Sequence, residues 1–151
     1  MKEKILIVDD EPNICHAIER VLQLDEYQTQ TANSGKEAMA KIKSCRPDLI
    51  LLDITMPEMN GLEVCRALRE DEFSTTIPII MVTAKYEEEI IAAALESGAD
   101  DYIIKPFESK ELQEQIRHTL SRLQQGLLSC QLKHDLKLLR EKLKKEPAQD
   151  K

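Results

Sequence analysis

No two cysteines of this 151-residue chain lie close together: Cys15, Cys45, Cys65 and Cys130 form no C-x-x-C pair, and no histidine stands at zinc-partner spacing. Neither a metal knuckle nor a redox pair is suggested, and the four read as reduced thiols, mostly core filler. Long apolar runs are missing too. The start, "MKEKILIVDD", offers no extended apolar segment of a signal peptide, and no run approaches the length of a bilayer. A soluble, cytoplasmic protein with no part in a membrane is therefore expected. Positive charge is short: 21 Lys/Arg face 28 Asp/Glu, a net of −7, which argues against direct nucleic-acid binding by the main body. The deficit is uneven. Residues 126–151 hold seven Lys/Arg against four Asp/Glu, a net of +3, which leaves −10 for residues 1–125.

What the chain does contain fits one ordinary domain with something left over, and its 42% apolar content can fill one sizeable core. Short β-branched runs at Ile5–Val8, Tyr27–Thr31, Leu49–Leu52, Ile79–Val82 and Tyr102–Ile104 alternate with helical periodicity near 12–24, 35–43, 61–70, 87–97 and 108–124. This alternation predicts an α/β fold, a doubly wound five-stranded parallel sheet. Ser34 with Glu37 suggests a capping box on the second helix, and Gly98 closes the fourth. The first, third and fourth runs are nearly all apolar, as inner strands are, whereas "YQTQT" alternates and belongs at an edge. The flavodoxin-like order 2-1-3-4-5 satisfies these placements. Sheets of that kind bind ligands beyond the carboxyl ends of their strands, at the switch point.

Chemistry gathers at those ends. In "KILIVDDEP" an apolar run enters two adjacent carboxylates, which repel unless something positive sits on them. Run one ends in Asp9 and Asp10, run three in Asp53, run four in Thr83 and run five in Lys105, while the edge run ends in nothing comparable. Clustered carboxylates suit a hard divalent cation such as Mg²⁺. With the cation on the pair, Asp53 is left as a carboxylate nucleophile able to take a phosphoryl group, whose charge Lys105 and Thr83 could help neutralise.

The motifs "ILIVDDEP", "LILLDITMPEMNG", "PIIMVTA" and "GADDYIIKPF" together resemble the receiver domain of two-component response regulators, over residues 4 to about 122. The resemblance implies that Asp53 accepts a phosphoryl group from a histidine kinase or histidine phosphotransfer protein. It implies Mg²⁺ bound by Asp10, Asp53 and the backbone carbonyl of Thr55, with Asp9 assisting through water, and a phosphoryl group met by Thr83 and Lys105. The Lys105–Pro106 bond is expected to be cis. In the implied switch Thr83 moves toward the phosphate and Tyr102 turns inward, reshaping the face made by the fourth helix, fifth strand and fifth helix. Thr55 and Lys85 match sites whose side chains tune phosphoryl lifetime, although a lysine opening a helix is often just solvated. Such a domain is a signalling module that assists its own phosphorylation and dephosphorylation, not an enzyme acting on others.

Competing readings are weaker. A phosphatase of the haloacid dehalogenase kind needs a second Asp two residues after its nucleophile, and Thr55 holds that place. A flavin module would want a Ser/Thr/Gly-rich phosphate loop after the first strand, where Glu11-Pro12-Asn13 stands instead. The receiver is placed at residues 1–124, and 125–151 form a helical extension or linker. Leu120, Leu123 and Leu127 keep one heptad step and Leu132, Leu136, Leu139 and Leu143 another, with Gly126 at the join. Two short blocks suit either a dimerising coiled coil or a linker to an output domain outside this chain. On the second reading the chain is the N-terminal receiver of a larger regulator. A homodimer would use the fourth helix, fifth strand and fifth helix, or the tail. His134, in "KHDLK", lacks the nearby proline of a kinase's phosphorylated histidine box.

Overall fold

The computed structural model describes residues 3–85 and 87–124, with Lys137 and Arg140. The chain divides into two compact units, Met1–Ile116 and Arg117–Lys151. In chain order the elements are β1 (Lys4–Val8), α1 (Pro12–Leu24), β2 (Gln28–Ala32), α2 (Gly35–Cys45), β3 (Leu49–Leu52), α3 (Gly61–Glu70), β4 (Ile79–Thr83), α4 (Glu88–Glu96), β5 (Asp101–Ile104) and α5 (Ser109–Gln124). All strand pairs are parallel, in the order β2-β1-β3-β4-β5. The predicted extension, including Gly126, Leu127, Cys130, His134 and the second leucine block, lies outside the described residues, apart from the exposed Lys137 and Arg140. Among the described residues no helix is long and apolar enough to cross a membrane.

Burial follows the patterning. Every residue of β3 and β4 is buried, as is β1 after Lys4, because helices cover both faces of inner parallel strands. The second strand alternates exposed and half-buried residues, as an edge strand does. It begins one residue later than the pattern predicts, and the end of α1 is the reason. Glu26 takes a left-handed conformation (φ 65°), and the N–H groups of Glu26 and Tyr27 return to the carbonyls of Gln23 and Leu22. Tyr27 is thereby committed to the helix terminus, in a Schellman arrangement, and the ladder starts at Gln28.

At the Ser34 terminus of α2 the predicted box is only half formed. Ser34 Oγ accepts the Glu37 N–H at 3.0 Å, but Glu37 Oε1 accepts the N–H of Asn33, one residue before the cap, at 2.8 Å. The reciprocal box stands instead at α3, where Asn60 Oδ1 accepts the Glu63 N–H (3.0 Å) and Glu63 Oε1 accepts the Asn60 N–H (3.2 Å). Gly98, at φ 113°, ends α4 as predicted: its N–H meets the carbonyl of Leu95, and that of Ala99 meets Ala94.

Arg69, near the end of α3, holds the opposite edge of the sheet. Its Nε donates to the Gly98 carbonyl (2.9 Å), one terminal nitrogen to the carbonyls of Ser74 (3.3 Å), Thr75 (3.1 Å) and Ile77 (2.7 Å), and the other to Asp100 Oδ2 (3.0 Å). Asp100 Oδ2 also accepts the Ile79 N–H at the start of β4 (2.9 Å). One guanidinium thus satisfies two loops that have no ladder of their own.

Candidate functional site

The site forms because parallel register continues one residue past β1, β3 and the edge strand β5. Val8 pairs with Leu52 and with Ala32, Leu52 with Met81, and Thr83 with Ile104. Beyond those pairs, Asp9 N–H donates to the Ala32 carbonyl (3.0 Å), Asp53 N–H to Val8 (2.9 Å) and Lys105 N–H to Thr83 (2.8 Å). The backbone of each functional residue is therefore fixed before its side chain is considered.

The three aspartates do converge. Asp9, Asp10 and Asp53 each present a carboxylate oxygen, all within 4.8 Å of one another. Asp9 and Asp53 are buried and Asp10 is half-buried. The positive partner of this cluster is Lys105, whose Nζ lies 2.8 Å from Asp9 Oδ2 and 3.9 Å from Asp53 Oδ1. Asp9 Oδ1 accepts the Glu11 N–H at 2.9 Å, so both oxygens of Asp9 are engaged. Asp53 Oδ1 receives the N–H of Thr55 at a long 3.4 Å. Burial pushes the Asp53 carboxyl up from 3.8 to about 6; Lys105 and the Thr55 N–H work against this rise, and Asp9 and Asp10 add to it.

The loop between Asp53 and α3 is folded back tightly. Gly61 donates its N–H to the Ile54 carbonyl at 2.9 Å, and a Cβ at Gly61 would lie 2.2 Å from the Asp53 carbonyl oxygen and 2.8 Å from Ile54 Cα. Only glycine allows this approach of backbone to backbone. The turn itself uses Glu58 at φ 65°.

The other predicted positions are distributed around this cluster. Thr83, the last residue of β4, is buried, and its Oγ1 accepts the Lys85 N–H at 3.1 Å. Lys85 and Thr55 are both exposed. Tyr102 is half-buried and packs against the main apolar core. The Lys105–Pro106 peptide is cis. One residue went unread in the sequence: Asn33, just past the edge strand, donates from Nδ2 to the Asp9 carbonyl at 3.0 Å. The edge strand therefore does contribute to this end of the sheet, through an amide that matches no charged or nucleophilic pattern.

Fold and site together define a doubly wound α/β module that carries three carboxylates and an ammonium at its switch point. The family model of the response regulator receiver domain matches residues 5–117, and the chain belongs to that family, whose members partner histidine kinases in two-component signalling. It is 43% identical over 122 residues to the DNA-binding response regulator MtrA of Mycolicibacterium smegmatis, covering 81% of this chain and 52% of that protein. With the alkaline phosphatase synthesis transcriptional regulatory protein PhoP of Bacillus subtilis it shares 40% identity over 135 residues, 89% of this chain and 55% of that one. The chain spans about half the length of these curated relatives. The crystal structure of a CheY-like response regulator receiver domain protein from Methanospirillum hungatei matches with a TM-score of 0.78 at 31% identity, over 83% of this chain and 98% of that one.

Proposed function

We propose that this domain is a phosphoacceptor: Asp53 takes a phosphoryl group from a phosphohistidine of a histidine kinase or histidine phosphotransfer protein. The observation that carries this reading is the convergence of Asp9, Asp10 and Asp53 within 4.8 Å, with the Lys105 ammonium against them. An oxygen of ionised Asp53 attacks phosphorus, the P–N bond of the donor breaks, and its electron pair leaves with the imidazole, which takes up a proton. Water later cleaves the acyl phosphate and restores the carboxylate. A carboxyl with a pKa of about 6 is ionised at neutral pH and is a stronger nucleophile than an exposed aspartate.

The donor set suits a hard cation, all oxygen and largely carboxylate. Asp10, Asp53 and the Thr55 carbonyl would hold Mg²⁺, with Asp9 assisting through water; bound there, the ion supplies charge neutralisation for the phosphoryl oxygens. Lys105 and the Thr83 hydroxyl contact those oxygens, and Thr83 with Tyr102 forms the switch that reshapes the face of α4, β5 and α5. Thr55 and Lys85, exposed beside the site, tune phosphoryl lifetime. Residues 1–124 act as the receiver, and homodimers form through α4, β5 and α5.

Incubation with Mg²⁺ and acetyl phosphate is expected to give a labile acyl phosphate. Borohydride trapping and peptide mapping should place it on Asp53, with no labelling in EDTA. A stable label on another peptide would sink the reading.

A second reading concerns the output. Because the chain spans about half of MtrA and PhoP, named as DNA-binding and transcriptional regulators, it fits the receiver part of a longer DNA-binding regulator. Immunoblotting of source cells with an antibody to the receiver is then expected to show a band well above the mass of this chain. A band at that mass overturns it.

A further inference from the structure

We infer that Asn33 is a positioning residue for the acidic site, acting through the peptide that joins Asp9 to Asp10. The inference rests on the phosphoacceptor reading and deepens it.

The carbonyl of Asp9 is held by two donors from different elements. Asn33 Nδ2 approaches it at 3.0 Å from the end of β2, and the Cys15 thiol at 3.5 Å from the first turns of α1. The same Asn33 amide lies 3.7 Å from Cys15 Sγ, which closes a triangle around the oxygen. A peptide unit is planar, so fixing this carbonyl also fixes the nitrogen of Asp10 and the bond from which its carboxylate departs. Asp9 does not need this help for its own side chain, since Lys105 and the Glu11 N–H already hold both oxygens. Asp10 is the residue whose direction the triangle sets.

Asn33 is itself held in place. Its N–H is taken by Glu37 Oε1 at 2.8 Å, so the carboxylate that leaves the capping box incomplete grips the positioning residue instead. The Asp9 N–H meets the carbonyl of Ala32 at 3.0 Å, so residues 32 and 33 clasp the peptides on both sides of Asp9. A side chain fixed at its backbone and aimed at a partly buried acceptor loses little entropy on bonding. The edge strand thereby reaches a metal-binding carboxylate that it never touches.

Two variants test this in the full chain: Asn33→Leu, which keeps the shape without the donor, and Asn33→Ala. Mg²⁺ affinity, read by calorimetry without any phosphodonor, is expected to fall about three- to tenfold in both. Alkylation of Cys15 in the native protein, read by peptide mapping, should quicken in parallel, since the thiol loses one of its covers. Lys36→Ala, an exposed neighbour outside the triangle, should match the parent in both measurements. Parent-like Mg²⁺ affinity in both Asn33 variants, while Asp10→Ala loses Mg²⁺, would overturn the inference and leave the acceptor reading standing. Parent-like affinity in Asp10→Ala would remove Asp10 from the metal site and overturn this inference, whereas the acceptor reading falls only if the acyl phosphate forms away from Asp53.

Discussion

Asp53→Asn is expected to abolish labelling by a small phosphodonor and, in the same protein without Mg²⁺, to raise stability at neutral pH. The first follows from loss of the nucleophile, since a carboxamide forms no acyl phosphate under these conditions. The second follows from the environment of the carboxylate. Its pKa rises from 3.8 to about 6 on folding, chiefly through burial, so the native state binds this proton more tightly than the unfolded chain. Stability then declines as pH rises between those two values, and above about 6 the full penalty is present. A tenfold difference in proton affinity between the two states is worth about 1.4 kcal/mol, and partial screening at the mouth of the site leaves an expected gain of about 1–2 kcal/mol for the variant at pH 7.5. The gain should fade as pH falls through 3.8, below which both states of the parent carry the proton. Urea denaturation of both proteins at pH 4, 6 and 7.5 checks the sign; a variant less stable than the parent at pH 7.5 in EDTA would refute it.

The largest loss of stability is expected far from the site, at Arg69→Met. The substitution keeps the aliphatic stem and removes the guanidinium donors to the carbonyls of Gly98, Ser74, Thr75 and Ile77, of which Ser74 keeps the N–H of Ile77. It also strips the guanidinium from Asp100, in a pair whose side chains are only 19% and 11% exposed. Breaking a largely buried pair by one partner costs about 3–5 kcal/mol, because the remaining charge stays out of water. A fall in Tm of about 10 °C or more is the corresponding thermal result for a domain of this size. The double variant Arg69→Met with Asp100→Asn should lose less than the sum of the two single changes. A loss under about 1 kcal/mol for Arg69→Met alone would show that solvent replaces these bonds at little cost.

Much of this was legible in the residues. The bounds of α1 and α3 coincide with the periodicity, and the observed strand order satisfies the placement of the wholly apolar runs inside and of the alternating run at an edge. Asp9, Asp10, Asp53, Thr83 and Lys105 were readable as a group because strand ends are conspicuous and charged residues after apolar runs stand out. What could not be read were contacts whose partner is backbone. Asn33 and Arg69 both address carbonyl oxygens, which every residue possesses, so no side-chain pattern reveals them. The start of β2 was misplaced for a related reason: Glu26 adopts a conformation usually left to glycine, and nothing in its identity announces that. Glu37 shows the limit of motif spacing, since its carboxylate reaches the residue before the cap rather than the cap itself.

The position of β1 between β2 and β3 has a further consequence, for the moment of synthesis. Ile5–Val8 are made before either partner strand, and β3 cannot pair until the chain has extended to Leu52. Parallel pairing across such a separation is slow, and an unpaired β-branched run is the kind of segment that finds other chains first. Lys4 on one side of the run and Asp9 with Asp10 on the other are then charged gatekeepers, discouraging edge-to-edge association of nascent chains. The acidic pair thus has a use while the sheet is still incomplete: it keeps the first strand solitary until its neighbours arrive.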